Sequence, residues 1–268
     1  MASVARGGMQ FMLIIWLQGV WLPLHGYSFS ETPLWAGIFL LPLTAGFLLS
    51  GPVSGWLSDR FGARIFSSIG MCLFAGSFVG LLLLPLDFSY WVFALVIALN
   101  GIGSGMFAAP NTAAIMSSVP ATRRGVASGM RSTFQNSGTS LSIGIFFSLL
   151  ITGLHDTLPA TLSRGLTAHG VPAAVAAHVA SLPPVSTVFA AFLGFNPIGH
   201  LLGPSGVLAK LPAPDVTTLT GKQFFPNLIS APFHHGLVIV FAVAAAMGLL
   251  AAVVSALRGG KYMYQEPA

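Results

Sequence analysis

Seven histidines, many hydroxyl side chains and six carboxylates are the groups in this sequence able to do covalent, acid–base or metal chemistry, and their spacing supports none of it. His25, His155, His169, His178, His200, His234 and His235 include no His-x-x-x-His pair, and no convergent zinc-like set is visible. No Gly-x-Ser-x-Gly elbow and no Ser, His and Asp arrangement occurs. Cys72 is the only cysteine and stands in an apolar run, so an intrachain disulfide and a cysteine-based metal site are both excluded. Gly101-Ile102-Gly103-Ser104-Gly105 has no strand before it, and Gly203 to Lys210 fails the phosphate-loop spacing. Enzyme, cofactor and metal readings therefore fall away. What remains is one compact charged turn between two long apolar stretches, Gly55-Trp56-Leu57-Ser58-Asp59-Arg60-Phe61-Gly62-Ala63-Arg64.

The elements that position this turn follow from composition. Of 268 residues, 54% are hydrophobic and 6% charged, with a mean hydropathy of +0.84, against about 25% charged in soluble domains. Such a chain cannot cover its apolar surface in water. Apolar runs of roughly 20 residues, the length that crosses about 30 Å of hydrocarbon, recur six times: Ala5 to His25, Leu34 to Leu57, Ile65 to Leu86, Tyr90 to Ser117, Gly125 to Leu154 and Gly236 to Leu257. The expected fold is an all-α polytopic membrane protein lying in a lipid bilayer. No removable signal peptide is expected, and Ala2 to Met9 reads as the first turns of an internal span. The pI near 9.9 and net charge of +5 do not imply nucleic acid, because the 11 basic residues are scattered rather than clustered.

Orientation follows from where those basic residues fall. Arg60 and Arg64 lie between spans two and three and Arg123 and Arg124 between four and five, with Arg6 counted before the first span and Arg258 and Lys261 after the sixth. The opposite loops hold Glu31 and Asp87 and no Lys or Arg. By the positive-inside rule the arginine loops and both termini are expected in the cytoplasm of a multi-pass plasma-membrane protein. The sequence divides into five spans within residues 1–154, a long external Pro-rich loop over 155–233, a sixth span within 234–258 and a tail over 259–268. Two apolar pieces of the loop, Val171 to Leu182 and Val185 to Phe195, are expected to be short helices at the outer interface.

Within the spans, glycines stand four apart at Gly51 and Gly55, Gly76 and Gly80, Gly101 and Gly105, and Gly125 and Gly129, each pair a groove for close helix packing. Pro42, Pro52 and Pro110 remove backbone hydrogen bonds where a helix could bend. Arg131 is the one ionisable candidate inside a span, and Ser128, Gln135, Thr139 and Ser142 continue its face. Arg131 has two readings, a cavity-facing charge or a side chain snorkelling to the cytoplasmic interface. Asn100, Asn111, Gln18 and Asn136 have two as well, interhelical hydrogen bonding or substrate contact. The possible cavity-facing set is Arg131, Gln135, Asn111 and Asn100.

The turn from Gly55 to Arg64 resembles the signature of the major facilitator superfamily, Gly-x-Leu-x-Asp-Arg-x-Gly-x-Arg/Lys, at Gly55, Leu57, Asp59, Arg60, Gly62 and Arg64. The resemblance implies a cytoplasmic gating motif, with Gly62 permitting the turn and Asp59 latching one state; a plain topological anchor is compatible with it. Leu34 to Leu43, Ala109 to Met116, and Val119-Pro120 with Arg123 to Gly129 look like the fourteen-span drug:proton antiporter branch. The resemblance then implies one six-helix half made of two inverted three-helix repeats, exporting small amphipathic substrates such as drugs or lipophilic metabolites. In that branch the proton-carrying carboxylates belong to the N-terminal half. Here Glu31, Asp59, Asp87, Asp156, Asp215 and Glu266 all fall in loops, ends or tail. An N-terminal transporter half or a second copy of this chain is the expected partner; a non-transporting membrane scaffold or an inactive remnant is the alternative.

Overall fold

A computed structural model describes residues 2–193 and 196–257. Arg258, Lys261, Glu266, the tail over 259–268 and Phe195 lie outside the described residues. Among those described there is no strand. Six helices are long and apolar enough to cross a membrane: α1 Ala2–Leu24, α2 Thr32–Phe61, α3 Ala63–Leu82, α4 Tyr90–Ser117, α5 within Ala121–Ala168, and α10 Phe224–Ala256. Between α5, whose regular part is Arg124–Ala168, and α10 come α6 Ala173–Ala180, α7 Pro184–Phe192, α8 Ile198–Leu202 and α9 Ala213–Thr220.

Proline shapes two of the spans. In α1 a π-turn over Leu17–Trp21 precedes Pro23, which has no N–H to offer the carbonyl one turn back. In α2 the helix breaks at Leu40, and Pro42 starts the second piece, Leu41–Phe61, where a missing N–H costs nothing. Pro52 and Pro110 stand inside unbroken helix.

α5 is far longer than a crossing needs. Its 45 residues would be about 67 Å long, more than twice the hydrocarbon thickness. Toward its start apolar Val126, Met130, Phe134, Leu141 and Ile145 are exposed along with polar Ser128, Thr133, Gln135 and Asn136; toward its end the exposed residues include His155, Asp156, Arg164 and Thr167. On α10 exposed Asn227 and His235 come before exposed Leu249, Leu250, Val253 and Val254. The segment read from sequence as a long loop over 155–233 is therefore in large part helix: α5 runs on to Ala168 and α10 begins at Phe224. The two short helices occupy Ala173–Ala180 and Pro184–Phe192 and meet at 81°. The sequence reading stopped α5 where its apolar character ended, yet polar residues such as those after Leu154 are compatible with helix once one face has something to pack on.

The chain divides into two compact units. The first holds the described residues up to Met9, Phe39–Ile145 and those from Phe241 onward. Its centre is α4, which is packed on two faces. Gly101 and Gly103 are two residues apart and so point in nearly opposite directions. A Cβ on Gly105 would stand 2.6 Å from the Phe47 carbonyl oxygen of α2, and one on Gly101 would meet Phe47 N at 3.0 Å. A Cβ on Gly103 would stand 2.6 Å from the Gly70 oxygen and Phe74 nitrogen of α3. Gly46 and Gly70 answer from the facing helices, with hypothetical Cβ contacts of 2.5 Å to the Ala98 oxygen and 2.7 Å to the Gly103 oxygen. On its other side α3 receives α10, where Gly248 packs on Ala75 and Ser68 donates to Ser255 at 3.3 Å.

Of the four glycine pairs singled out in the sequence, only Gly101 and Gly105 are tight at both members. Gly55 and Gly80 have single neighbours at 3.8 and 3.0 Å, and Gly51, Gly76, Gly125 and Gly129 face open space. Spacing places two glycines on one face without saying what lies opposite.

The second unit holds Gln10–Ile38 and Phe146–Val240. There α5 and α10 cross at glycines, a Cβ on Gly153 standing 2.6 Å from Gly236 Cα. α7 packs on α1, with Ala191 against Gly19 and the rings of Phe192 and Phe11 at 6.4 Å. The end of α5 closes in a Schellman-type cap at Gly170 (φ +79), with Val171 N–H donating to Leu166 O at 3.2 Å. His169 at this cap contacts Asp215 of α9 at 3.3 Å and stands edge-on to Phe224 at the head of α10.

Gly103→Ala is expected to cost about 1–3 kcal/mol by overpacking, whereas Gly129→Ala stays within about 0.5 kcal/mol. SDS-induced unfolding of the two purified variants in mixed micelles measures both; equal stability would show that the α3–α4 approach is looser than described.

Candidate transport site

The charged turn is built by the end of α2. Its last turn stops because Gly62 takes φ +92 and ψ +141, backbone that L side chains rarely adopt, while Gly62 N–H still donates to Ser58 O at 2.9 Å. Residues on α2 facing inward are small and satisfied locally: Ser58 Oγ donates to Gly55 O at 2.7 Å, and Ser54 Oγ reaches both Gly51 O and, at 3.4 Å, Gly105 O of α4. The charged residues point away. Asp59, Arg60 and Arg64 are exposed, and among the described residues Asp59 makes no ion pair. Arg60 lies over the Trp56 ring at 4.5 Å, an aromatic and cationic pairing that suits a membrane–water boundary.

The four polar candidates inside the spans separate. Asn100 is fully buried and donates from Nδ2 to Ser77 Oγ of α3 at 2.7 Å, while Ser77 donates to Phe74 O. It therefore pins α3 to α4 and faces no cavity, which corrects its place in the cavity-facing set. Asn111 is half-buried further along α4. Arg131 is half-buried and Gln135 exposed on α5. The stripe they belong to ends on α1: a Cβ on Gly7 would meet Thr139 Cγ2 at 2.7 Å and Ser142 Oγ at 2.8 Å. Ser142 and Thr139 hydroxyls are held by Thr139 O and Gln135 O.

Arg6 is the residue whose position the sequence reading missed. Counted there as a cytoplasmic charge, it stands within α1 with its guanidinium 4.1 Å from the centroid of the Phe47 ring of α2. Phe47 is roughly 21 Å along the axis from the Phe61 end of α2. Arg6 thus lies inside the helical layer, about four turns of α2 away from the charged turn. At the centre of a membrane helix an arginine costs about 2.5–3.5 kcal/mol on insertion scales, of which a desolvated cation–π contact offsets up to about 2. Among the described residues no carboxylate pairs with Arg6 or Arg131.

The sequence matches the Major Facilitator Superfamily pattern over residues 2–143, more than half of the chain. The chain belongs to that superfamily. It is 29% identical to the tetracenomycin C resistance and export protein of Streptomyces glaucescens over 260 residues, which are 95% of this chain and 41% of that protein. It is 32% identical to the multidrug resistance protein Stp of Mycobacterium tuberculosis over 174 residues, 64% of this chain and 29% of that protein. Over 149 residues it is 32% identical to the methyl viologen resistance protein SmvA of Salmonella typhimurium, 56% of this chain and 28% of that protein. The chain thus spans less than half the length of these relatives.

Gly62→Ala is expected to cost about 1–3 kcal/mol, because its Cβ has room but its backbone does not suit an L residue. A loss under about 0.5 kcal/mol in SDS unfolding would mean that the turn relaxes to another conformation.

Proposed function

We propose that this chain works as the C-terminal six-helix half of an efflux permease for amphipathic drugs or lipophilic metabolites. The observation that carries the reading is the pairing of a complete Gly55 to Arg64 turn with a likeness to an export protein that covers 95% of this chain and 41% of the relative. The helices present one wall. On α2, exposed Leu41, Leu48, Leu49 and Val53 form an apolar face, suited to lipid or to a second six-helix body against which this one would rock. The partner is an N-terminal transporter half, with a second copy of this chain as the other candidate for that place.

Proton coupling comes from the partner in this reading. Asp59 ends α2, Glu31 precedes it, Asp87 lies between α3 and α4, and Asp156 and Asp215 belong to the second unit. Among the described residues the only carboxylate within the first unit's spans is Asp59 at the end of α2, which leaves no such group in their interior to hold a proton. The Asp59, Arg60 and Arg64 turn and the Arg123–Arg124 loop face the cytoplasm by the positive-inside rule, in the plasma membrane. Asp59 and its neighbours gate that side, their exposure leaving them free to meet the partner half.

The test is ethidium efflux from cells expressing this chain alone, or together with the N-terminal half of the Streptomyces glaucescens export protein. Flux with both halves that an uncoupler abolishes, and only leak with either alone, is the expected result. Full flux from this chain alone, or association of the halves without flux, would contradict the proposal.

A further inference from the structure

We propose that Arg6 is the anion-binding group of the transport pathway, and that the pathway favours planar aromatic substrates carrying a carboxylate, sulfonate or phenolate. The inference rests on the transport reading above and adds the charge class of what is transported.

Three observations carry it. Arg6 lies about four turns from the Phe61 end of α2, further than an arginine side chain can reach, so it cannot snorkel to that end as an arginine near a helix end does. Its guanidinium lies on the Phe47 ring at 4.1 Å, which fixes one side of the charge and leaves its in-plane donors for an acceptor. Those donors form a fork that matches an oxyanion. The ring beneath is itself a flat apolar surface of the size of an aromatic ligand's own ring. Second, the helix is held in register: on the side of Gly7, α1 rests on Thr139 and Ser142 of α5, so Arg6 cannot turn away without breaking that approach. Third, a further cation away from the span ends of this unit, Arg131, lies on the stripe that continues through Gln135 to Thr139. Both cations lack a carboxylate partner among the described residues. A wall that is positive at two places, with hydroxyl and amide groups between, favours an anion over a cation.

The probes are fluorescein, an anion, and rhodamine 6G, a cation with the same xanthene ring system. Binding is followed by fluorescence anisotropy on the purified full chain in nanodiscs of zwitterionic lipid, with empty nanodiscs subtracted. The wild-type chain should bind fluorescein more tightly than rhodamine 6G. Arg6→Gln should weaken fluorescein by about tenfold or more, the worth of one charged hydrogen bond, and leave rhodamine 6G unchanged or tighter. Arg6→Lys, which keeps the charge, should retain part of the fluorescein affinity and guards against a variant that fails to fold. No preference for the anion in the wild type, or an equal loss of both dyes in Arg6→Gln, would overturn the proposal; the second result would assign Arg6 to packing or to a protein carboxylate. Because binding needs no flux, a chain that binds fluorescein through Arg6 but exports nothing keeps this inference and loses the transport reading, and one that exports ethidium without anion preference does the reverse.

Discussion

In hydrocarbon, helices gain nothing by hiding apolar side chains from one another, so their association rests on backbones coming close enough for dense contact. α4 meets this requirement twice. Gly101 and Gly105 admit the α2 backbone and Gly103 admits that of α3, with Gly46 and Gly70 returning the contact. Every other placement in the first unit follows. With α2 fixed, Phe47 stands where Arg6 meets it and the charged turn falls at the Phe61 end. With α3 fixed, Asn100 finds Ser77, and α10 finds Ala75 and Ser68. The polar contacts come second in energy: hydrogen bonds between membrane helices contribute about 0.6 kcal/mol on average, so Asn100 sets register more than it sets stability.

The second constraint is charge. Acids stand at the ends of the spans or in the second unit, while Arg6 and Arg131 stand inside. An asymmetry of this kind costs free energy in the bilayer, and it persists where a water-filled path or a bound anion repays that cost. In the proposed two-half transporter this chain would contribute a positive wall and the charged turn, and the partner half the proton-carrying groups.

Much of this was legible in the sequence. Six apolar runs gave six helices, and the fixed positions of the Gly55 to Arg64 turn pointed to the superfamily, because both signals are local and periodic. The parts that were not legible depend on what lies opposite. Gly125 and Gly129 have the same spacing as Gly101 and Gly105 yet face open space, and Gly46 and Gly70 are tight without a glycine four residues away. The helical continuations of α5 past Leu154 and of α10 before Gly236 were hidden because apolar runs mark hydrocarbon, whereas a helix continues wherever its backbone and one face are satisfied. Arg6 was counted with the loop charges because nothing local to it shows its neighbour; only the fold brings it to Phe47.

On the proposed transport reading, Arg131 and Gln135 of α5 line an aqueous path while the neighbouring face meets lipid. Cysteine accessibility in the membrane-embedded protein tests it most directly, with Cys72 first replaced by alanine so that each variant carries one thiol. A cysteine at Gln135 should react with a membrane-impermeant maleimide from the open side, and one at Phe134, on the apolar face, should not. Equal labelling of the two positions, or labelling of Phe134 alone, would contradict the account.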